Sequence, residues 1–120
     1  MFVEYNLNPH GKRVGDCVIR AISTALNREW DVVYIDLANK GLEMGDMPSS
    51  NSVWGCYLLE QGFEVKALPY TITIRRFACL HPEGTYILGT GSHVVALIDG
   101  EYYDTWDSGD EIVIYYFKEE

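Results

Sequence analysis

The chain has 120 residues, with 18 acidic and 9 basic side chains and a formal net charge of −9. This length fits one domain over residues 1–120, and an apolar fraction of 48% predicts a folded core rather than a disordered tail. The acidic balance argues against nucleic-acid binding, which relies on clustered Lys and Arg side chains.

Targeting signals and disulfides are not predicted. The first residues contain no basic region followed by an apolar run, so they do not form a signal peptide. No apolar stretch approaches the ~20 residues that span a membrane. The three cysteines, at positions 17, 56 and 79, are odd in number and widely spaced. We therefore expect a cytoplasmic protein that does not interact with membranes.

Three helices are predicted in the first half of the chain, after an extended entry and a loop over residues 1–16. Asp16 is a suitable N-cap for a helix over residues 17–26, whose apolar positions form one stripe. A second helix is predicted over residues 29–39, with Gly41 just past its end. A third helix should cover residues 53–61.

The second half of the chain is predicted to be mainly β-structure. A strand is expected over residues 63–68, whereas residues 71–80 suit either a helix or a strand. Further segments are rich in β-branched and aromatic residues and separated by Gly and Asp clusters: 85–88, 92–98, 101–106 and 111–117. Helices followed by consecutive strands predict an α+β fold in which the N-terminal helices pack on a C-terminal antiparallel sheet.

A hairpin in this region can be placed in register from its turn. Asp99-Gly100 is a strong signal for a two-residue type I′ turn. In that register residue 95 faces Asp104, so the Asp104 and His93 side chains share a face and lie one diagonal step apart. Trp106 would lie opposite His93 and shield the pair from water. A three-residue turn would instead make Asp107 the partner.

Cys17 is predicted to open the first helix. A helix N-terminus presents free N–H groups and a partial positive charge, which together favour a thiolate. The Cys17 backbone N–H could also stabilise an oxyanion formed at the target of the sulfur. A nearby histidine and an orienting acid would complete a nucleophilic site, so Cys17, His93 and Asp104 form a candidate catalytic triad.

These segments resemble the papain-like cysteine peptidase superfamily. The similarity rests on Cys17 at a helix start, on the strand beginning His93-Val-Val-Ala, and on Asp104-Thr-Trp106 as a counterpart of Asn-Ser-Trp. The small size and the acidic third member resemble most the bacterial peptidases that trim double-glycine leader peptides. The resemblance implies a papain-like fold and a peptide or protein substrate. Its implied catalysts are Cys17 as nucleophile, His93 as base and then acid, and Asp104 as the group orienting His93.

One position departs from the family pattern. The family carries a Gln about six residues before the Cys, as the side-chain donor of the oxyanion hole, and this chain has Gly11 there. Asn8 has the right amide chemistry at a different spacing and is the candidate replacement. A catalytically weak or inactive papain-like scaffold that acts as a protein-binding bacterial or phage effector or inhibitor is therefore an alternative. An acyltransferase or amidase acting on a small amide is another.

A metal site and a cofactor are not expected. Cys56, Cys79, His81 and His10 could be imagined as zinc ligands, but their spacing matches no standard zinc pattern. The proposed thiol chemistry requires neither a metal ion nor an organic cofactor.

Overall fold

The computed structural model describes residues 1–120 and contains four helices and six strands. The helices are α1 (Cys17–Leu26), α2 (Trp30–Met44), α3 (Asn51–Glu60) and α4 (Ile74–Leu80). The strands are β1 (Phe2–Glu4), β2 (Phe63–Ala67), β3 (Thr85–Gly89), β4 (Val94–Ile98), β5 (Glu101–Asp104) and β6 (Tyr115–Glu119). None of these helices combines the length and the apolar character needed to cross a membrane.

All six strands form one sheet in the order β1-β5-β4-β3-β6-β2. The predicted α+β fold is confirmed, and strands β2 to β6 pair antiparallel as expected. The entry segment, for which the sequence predicts only extended chain, forms β1. This strand pairs parallel with β5, so the sheet is mixed rather than purely antiparallel.

The sheet carries a separate apolar core on each face. On one face, α1, α2 and α3 pack against alternate sheet residues that include Ile87, Ala96 and Phe117. On the other face, α4 packs against residues of opposite parity, including Leu88 and Leu97. Because successive side chains of a strand point to opposite faces, buried neighbours such as Ile87 and Leu88 belong to different cores. The strands are therefore covered on both sides.

The end of α2 differs from its prediction. Gly41 does not terminate the helix, which continues to Met44 and ends at Gly45 in the left-handed conformation. Gly41 is instead buried, and a Cβ at this position would lie 2.7 Å from the backbone oxygen of Asp46. A glycine there allows the following loop to fold back tightly on the helix.

The ambiguous segment over residues 71–80 forms the short helix α4. Its N-cap is Thr73, whose hydroxyl oxygen accepts a hydrogen bond from the Arg76 backbone N–H at 3.1 Å. Ile74 and Phe77 are fully buried against the sheet. The cap and these two apolar side chains stabilise a helix despite the β-branched residues of the segment.

Candidate active site

Helix α1 places Cys17 at its first position, as predicted. The first α1 N–H donor with a backbone acceptor is that of Arg20, which bonds to the Asp16 carbonyl. The N–H groups of the three preceding helical residues have no acceptor within the protein, as expected for a helix N-terminus. Their partial positive charge lies beside the Cys17 sulfur and favours the thiolate.

The β4–β5 hairpin has the predicted register. Ile98 pairs with Glu101 and Leu97 with Tyr102, and the two turn residues between the strands adopt positive φ angles. Such angles at both central positions are those of a type I′ turn. The register brings His93, just before β4, to the same face as Asp104 at the end of β5.

His93 and Asp104 form a short hydrogen bond. His93 Nε2 lies 2.6 Å from Asp104 Oδ2, and the carboxylate is almost fully buried. The same carboxylate accepts hydrogen bonds from the Ser108 hydroxyl at 2.7 Å and from the Thr105 backbone N–H at 2.8 Å. These donors fix the carboxylate, which in turn fixes the imidazole ring. The other ring nitrogen, Nδ1, is left for Cys17.

The site favours a thiolate–imidazolium pair. Burial acts to raise the pKa of Cys17, but the hydrogen bond to His93, its charge and the Val94 backbone N–H outweigh burial and lower the pKa. Burial acts to lower the pKa of His93, but the hydrogen bonds to Asp104 and Cys17 raise it to about 9. Both shifts favour the charged forms. The two shifts therefore favour transfer of the thiol proton to the ring.

The side chains of Trp106 and Asp107 lie on opposite sides of the sheet, as the two-residue turn predicts. Trp106 packs on His93 with ring centroids 5.2 Å apart, although it remains 46% exposed. Asp107 instead accepts a hydrogen bond from the Tyr102 hydroxyl at 2.7 Å and lies near Arg75 of α4. Asp107 is thus on the α4 side of the sheet, and of the two acids only Asp104 contacts His93.

Arg20 is a site residue that the sequence patterns do not reveal. Its Nε donates to Asp16 Oδ1 at 2.8 Å, and its Nη1 donates to Asp104 Oδ1 at 3.1 Å. Asp16 is expected to cap α1 through its side chain, but its carboxylate binds Arg20 and the Trp30 indole N–H instead. Arg20 lies three residues after Cys17 and four after Asp16, so the i, i+4 spacing could have signalled its bond to Asp16, whereas no spacing signals its bond to Asp104.

The structure does not bring Asn8 into the site as an oxyanion donor. Its amide nitrogen points to Asp16 Oδ2 at 3.4 Å, and its amide oxygen accepts from the backbone N–H groups of His10 and Lys12. The buried Asn8 side chain therefore organises its own turn. Gly11 lies in that turn with a positive φ and offers no donor either, because it has no side chain and its backbone N–H bonds to the Asn8 carbonyl oxygen at 2.9 Å.

A cleft of about 150 Å³ opens beside the thiol. It is lined by Cys17 and Val18 of α1, Ser49 and Asn51 at the start of α3, residues 91–94 before and in β4, and Tyr115 of β6. Asn51 is its only side-chain amide. The Trp54 indole N–H can only donate, so the Asn51 side-chain atom 3.1 Å from it is the amide oxygen. The Asn51 amide nitrogen is therefore free to donate to another group.

Comparison with protein-family models, with curated protein sequences and with solved structures found no match for this chain. The structure also contains no group of three His, Cys, Asp or Glu side chains arranged to hold a metal ion. In particular, His81 Nδ1 lies 2.8 Å from the Phe77 carbonyl oxygen, within its own helix end.

Proposed function

We propose that this protein is a cysteine peptidase-like hydrolase that cleaves a peptide or isopeptide amide through Cys17, His93 and Asp104. The observation that carries the proposal is the 2.6 Å contact between His93 Nε2 and Asp104 Oδ2, with the opposite ring nitrogen left for the thiol at the start of α1. A nucleophile, a base and a group that orients the base are the parts required for this chemistry.

The reaction would begin with attack of the Cys17 thiolate on the amide carbonyl carbon. A carbon–sulfur bond forms while the carbonyl oxygen becomes an oxyanion, which the unpaired N–H groups at the start of α1 can stabilise. The His93 imidazolium then gives its Nδ1 proton to the leaving nitrogen as the carbon–nitrogen bond breaks. Water, deprotonated by the neutral ring, then attacks the thioester carbonyl carbon. A carbon–oxygen bond forms, the carbon–sulfur bond breaks, the carboxylic acid leaves, and the Cys17 thiolate and His93 imidazolium are restored.

Asp104 keeps its charge throughout the cycle. Burial acts to raise its pKa, but the hydrogen bonds from His93 and Ser108 lower it below the ordinary value. A carboxylate in this state holds the ring orientation and stabilises the imidazolium without itself taking the proton. The acid is therefore a positioning group, and the proton moves only among the thiol, the ring, the substrate and water.

Alkylation by iodoacetamide tests the proposal. Cys17 should react well below pH 8, faster than half-exposed Cys56 or exposed Cys79, and should lose this advantage in His93→Ala. Peptide mapping by mass spectrometry locates the label, so the two other cysteines serve as internal controls. Equal reactivity of the three thiols would overturn the proposal. A diverse peptide library with a mass-spectrometric readout then distinguishes a peptidase from an acyltransferase or an amidase.

A protein-binding scaffold without catalysis is a second candidate, and one observation favours it. Asn8 faces Asp16, and Gly11 has no side chain, so the segment before Cys17 supplies no second oxyanion donor. Loss of one such donor costs about 10²–10³ in rate. A Cys17 that alkylates rapidly but cleaves no peptide or amide in the library would favour this candidate over the hydrolase.

A further inference from the structure

We propose that the Tyr115 hydroxyl is the side-chain donor that stabilises the oxyanion of the reaction, which makes Tyr115 a further catalytic residue. The segment before Cys17 supplies no such donor, because Asn8 faces Asp16 and Gly11 has no side chain. This inference rests on the proposed hydrolase function and completes its oxyanion hole with a group from β6.

The Tyr115 ring crosses the neighbouring strand toward the thiol. Tyr115 of β6 pairs with Gly89 of β3, and Gly89 pairs with Val94 of β4. A Cβ at Gly89 would overlap Tyr115 Cζ, so the far end of the ring lies directly over the backbone of β3. Because Cζ carries the hydroxyl, the hydroxyl points away from β6 and toward the start of β4.

The Cys17 sulfur lies at the same end of β4. It accepts a hydrogen bond from the Val94 backbone N–H, and Val94 follows His93 directly. Cys17, Val94 and Tyr115 all belong to the apolar core on the α1 face of the sheet. Cys17 and Tyr115 also line the same cleft of about 150 Å³. The hydroxyl therefore faces the space beside the sulfur, where the reacting carbonyl group must lie.

The Tyr115 hydroxyl is free to donate. The hydroxyls of Tyr57 and Tyr102 donate to carboxylates, whereas that of Tyr115 has no partner within the protein. Burial and the negative charge of the Cys17 thiolate raise the pKa of Tyr115 above its ordinary value. The phenol therefore keeps its proton at neutral pH and stabilises the oxyanion through a hydrogen bond alone.

Two aromatic neighbours hold the Tyr115 ring in place. It stacks on Trp54 with centroids 6.2 Å apart, and Trp54 is only 1% exposed. Phe117 meets the same ring edge-on at 6.1 Å. A donor that is already oriented requires no reorganisation when the oxyanion forms, so its hydrogen bond contributes fully in the transition state.

Asn51 carries the only side-chain amide in the cleft, and its surroundings favour Tyr115 as the oxyanion donor. The Asn51 amide nitrogen is free, but the residue is exposed, so water competes for its N–H groups. Tyr115 is half-buried. A hydrogen bond in the less polar surroundings of Tyr115 is electrostatically stronger than one in water.

Two reagents for the same thiol test this inference without a known substrate. With p-nitrophenyl acetate, the Cys17 thiolate adds to the ester carbonyl carbon and forms an oxyanion. The intermediate collapses to the thioacetyl enzyme as the carbon–oxygen bond breaks and p-nitrophenolate leaves. With iodoacetamide, the thiolate displaces iodide from a saturated carbon, and no oxyanion forms. The ratio of the acylation rate to the alkylation rate therefore reports on the oxyanion donor and cancels changes in the thiolate.

A matched pair of variants locates the donor. Tyr115→Phe removes the hydroxyl and keeps the ring that packs on Trp54. We expect the ratio to fall roughly tenfold to a hundredfold, since an activated ester needs less stabilisation than an amide, for which loss of one donor costs about 10²–10³. Tyr116→Phe removes a hydroxyl one position along β6, but Tyr116 packs on Phe77 at the opposite face and should leave the ratio unchanged. Release of p-nitrophenolate by Cys17→Ala is subtracted throughout.

The outcomes separate this inference from the proposed function. Rapid alkylation of Cys17 with an unchanged ratio in Tyr115→Phe, or with no acylation above the Cys17→Ala background, overturns the donor role and leaves the thiolate intact. A fall in the ratio confined to Asn51→Ala assigns the role to Asn51 and also overturns it. Alkylation of Cys17 no faster than that of Cys56 overturns the thiol chemistry, and the donor role fails with it.

Discussion

Arg20 of α1 and Asp104 of β5 form an ion pair between residues that are 84 positions apart in the chain, with 3.1 Å between Nη1 and Oδ1. Only 11% of the Arg20 side chain and 1% of the Asp104 side chain is exposed. The pair joins the helix that carries the thiol to the strand that carries the acid. Arg20 is therefore a positioning residue that holds the two halves of the site together.

Arg20→Met should destabilise the fold and slow the alkylation of Cys17. Loss of the guanidinium leaves the buried Asp16 and Asp104 carboxylates without their shared partner, at a cost of about 3–5 kcal/mol. The Arg20 charge also contributes to lowering the pKa of Cys17, so the thiol pKa should rise in the variant. Urea unfolding and the pH dependence of iodoacetamide labelling measure the two effects.

Arg13→Met is the matched control for this substitution. Arg13 lies 3.8 Å from Glu4, and the two side chains are 68% and 69% exposed, so the change should cost about 1 kcal/mol or less. Arg20→Lys retains the charge but not the two-armed geometry, and we expect an intermediate loss. Equal unfolding midpoints for Arg20→Met and Arg13→Met would refute the positioning role.

The titration of His93 should depend on Asp104 and not on Asp107. NMR chemical shifts of the imidazole should give a pKa of about 9 in the wild type. In Asp104→Asn this pKa should fall toward the ordinary value of about 6.5, because the charge and the strongest ring partner are lost. Asp107→Asn should leave it unchanged, because Asp107 bonds to Tyr102 on the other face. The reverse result would show that the three-residue turn is correct.

The stability of Cys17→Ala should fall as pH rises above neutrality. This variant removes the thiolate and isolates the linkage of His93, whose pKa in the wild type is raised by hydrogen bonds to Asp104 and Cys17 that outweigh burial. When the His93 pKa is higher in the folded state than the unfolded value of about 6.5, protonated His93 stabilises the fold. This contribution is fully present below about pH 6.5. The contribution is then lost as pH rises through the folded pKa, which lies no higher than about 9. Urea unfolding at several pH values tests this, and Cys17→Ala/His93→Gln should lack the dependence.

Asn51→Asp should weaken substrate binding in the cleft. The substituted carboxylate can still accept from the Trp54 indole N–H, but the free amide donor is gone. Loss of one hydrogen bond to substrate is worth roughly tenfold in binding. The half-saturating concentration of a peptidyl chloromethyl ketone, which alkylates the Cys17 sulfur with loss of chloride, should rise by that factor. The substitution also adds a charge near Cys17, and the iodoacetamide rate of the variant corrects the labelling data for this effect. Asn39→Asp, which lies outside the cleft, is the control.

Gly89→Ala should disturb the part of the thiol cleft that Tyr115 lines. A Cβ at position 89 would lie 2.1 Å from the ring of Tyr115, so the ring must move. Because Tyr115 lines the thiol cleft, both stability and labelling rate should decrease, the former by about 1–3 kcal/mol. Gly55→Ala is the control, since its Cβ would meet Phe117 at an ordinary 3.6 Å and the helix gains propensity. An unchanged unfolding midpoint for Gly89→Ala would contradict the close packing of this ring.

The local parts of the site are predictable from the sequence. Helix α1 begins at Cys17, where its apolar stripe begins, although Asp16 at the N-cap position makes no side-chain capping bond. The Asp99-Gly100 turn determines the hairpin register, and this register alone selects Asp104 over Asp107. In each case the determining residues lie within a few positions of the element that they define.

The parts that depend on distant contacts are not predictable in this way. The role of Gly41 depends on the Asp46 backbone folding back on it, and the Arg20–Asp104 pair depends on how α1 docks on the sheet. Asn51 enters the cleft only because α3 starts beside α1. Residue spacing along one element carries no information on such contacts between elements.

The distance along the chain between Arg20 and Asp104 has a consequence for biogenesis. Helix α1 with Cys17 is synthesised early, whereas β4, β5 and His93 follow more than 70 residues later. Until that hairpin has emerged and docked on α1, Cys17 has no imidazole partner. Under the proposed function, nascent chains would carry no activated nucleophile, and the reactivity of Cys17 during synthesis would time the moment at which the fold closes.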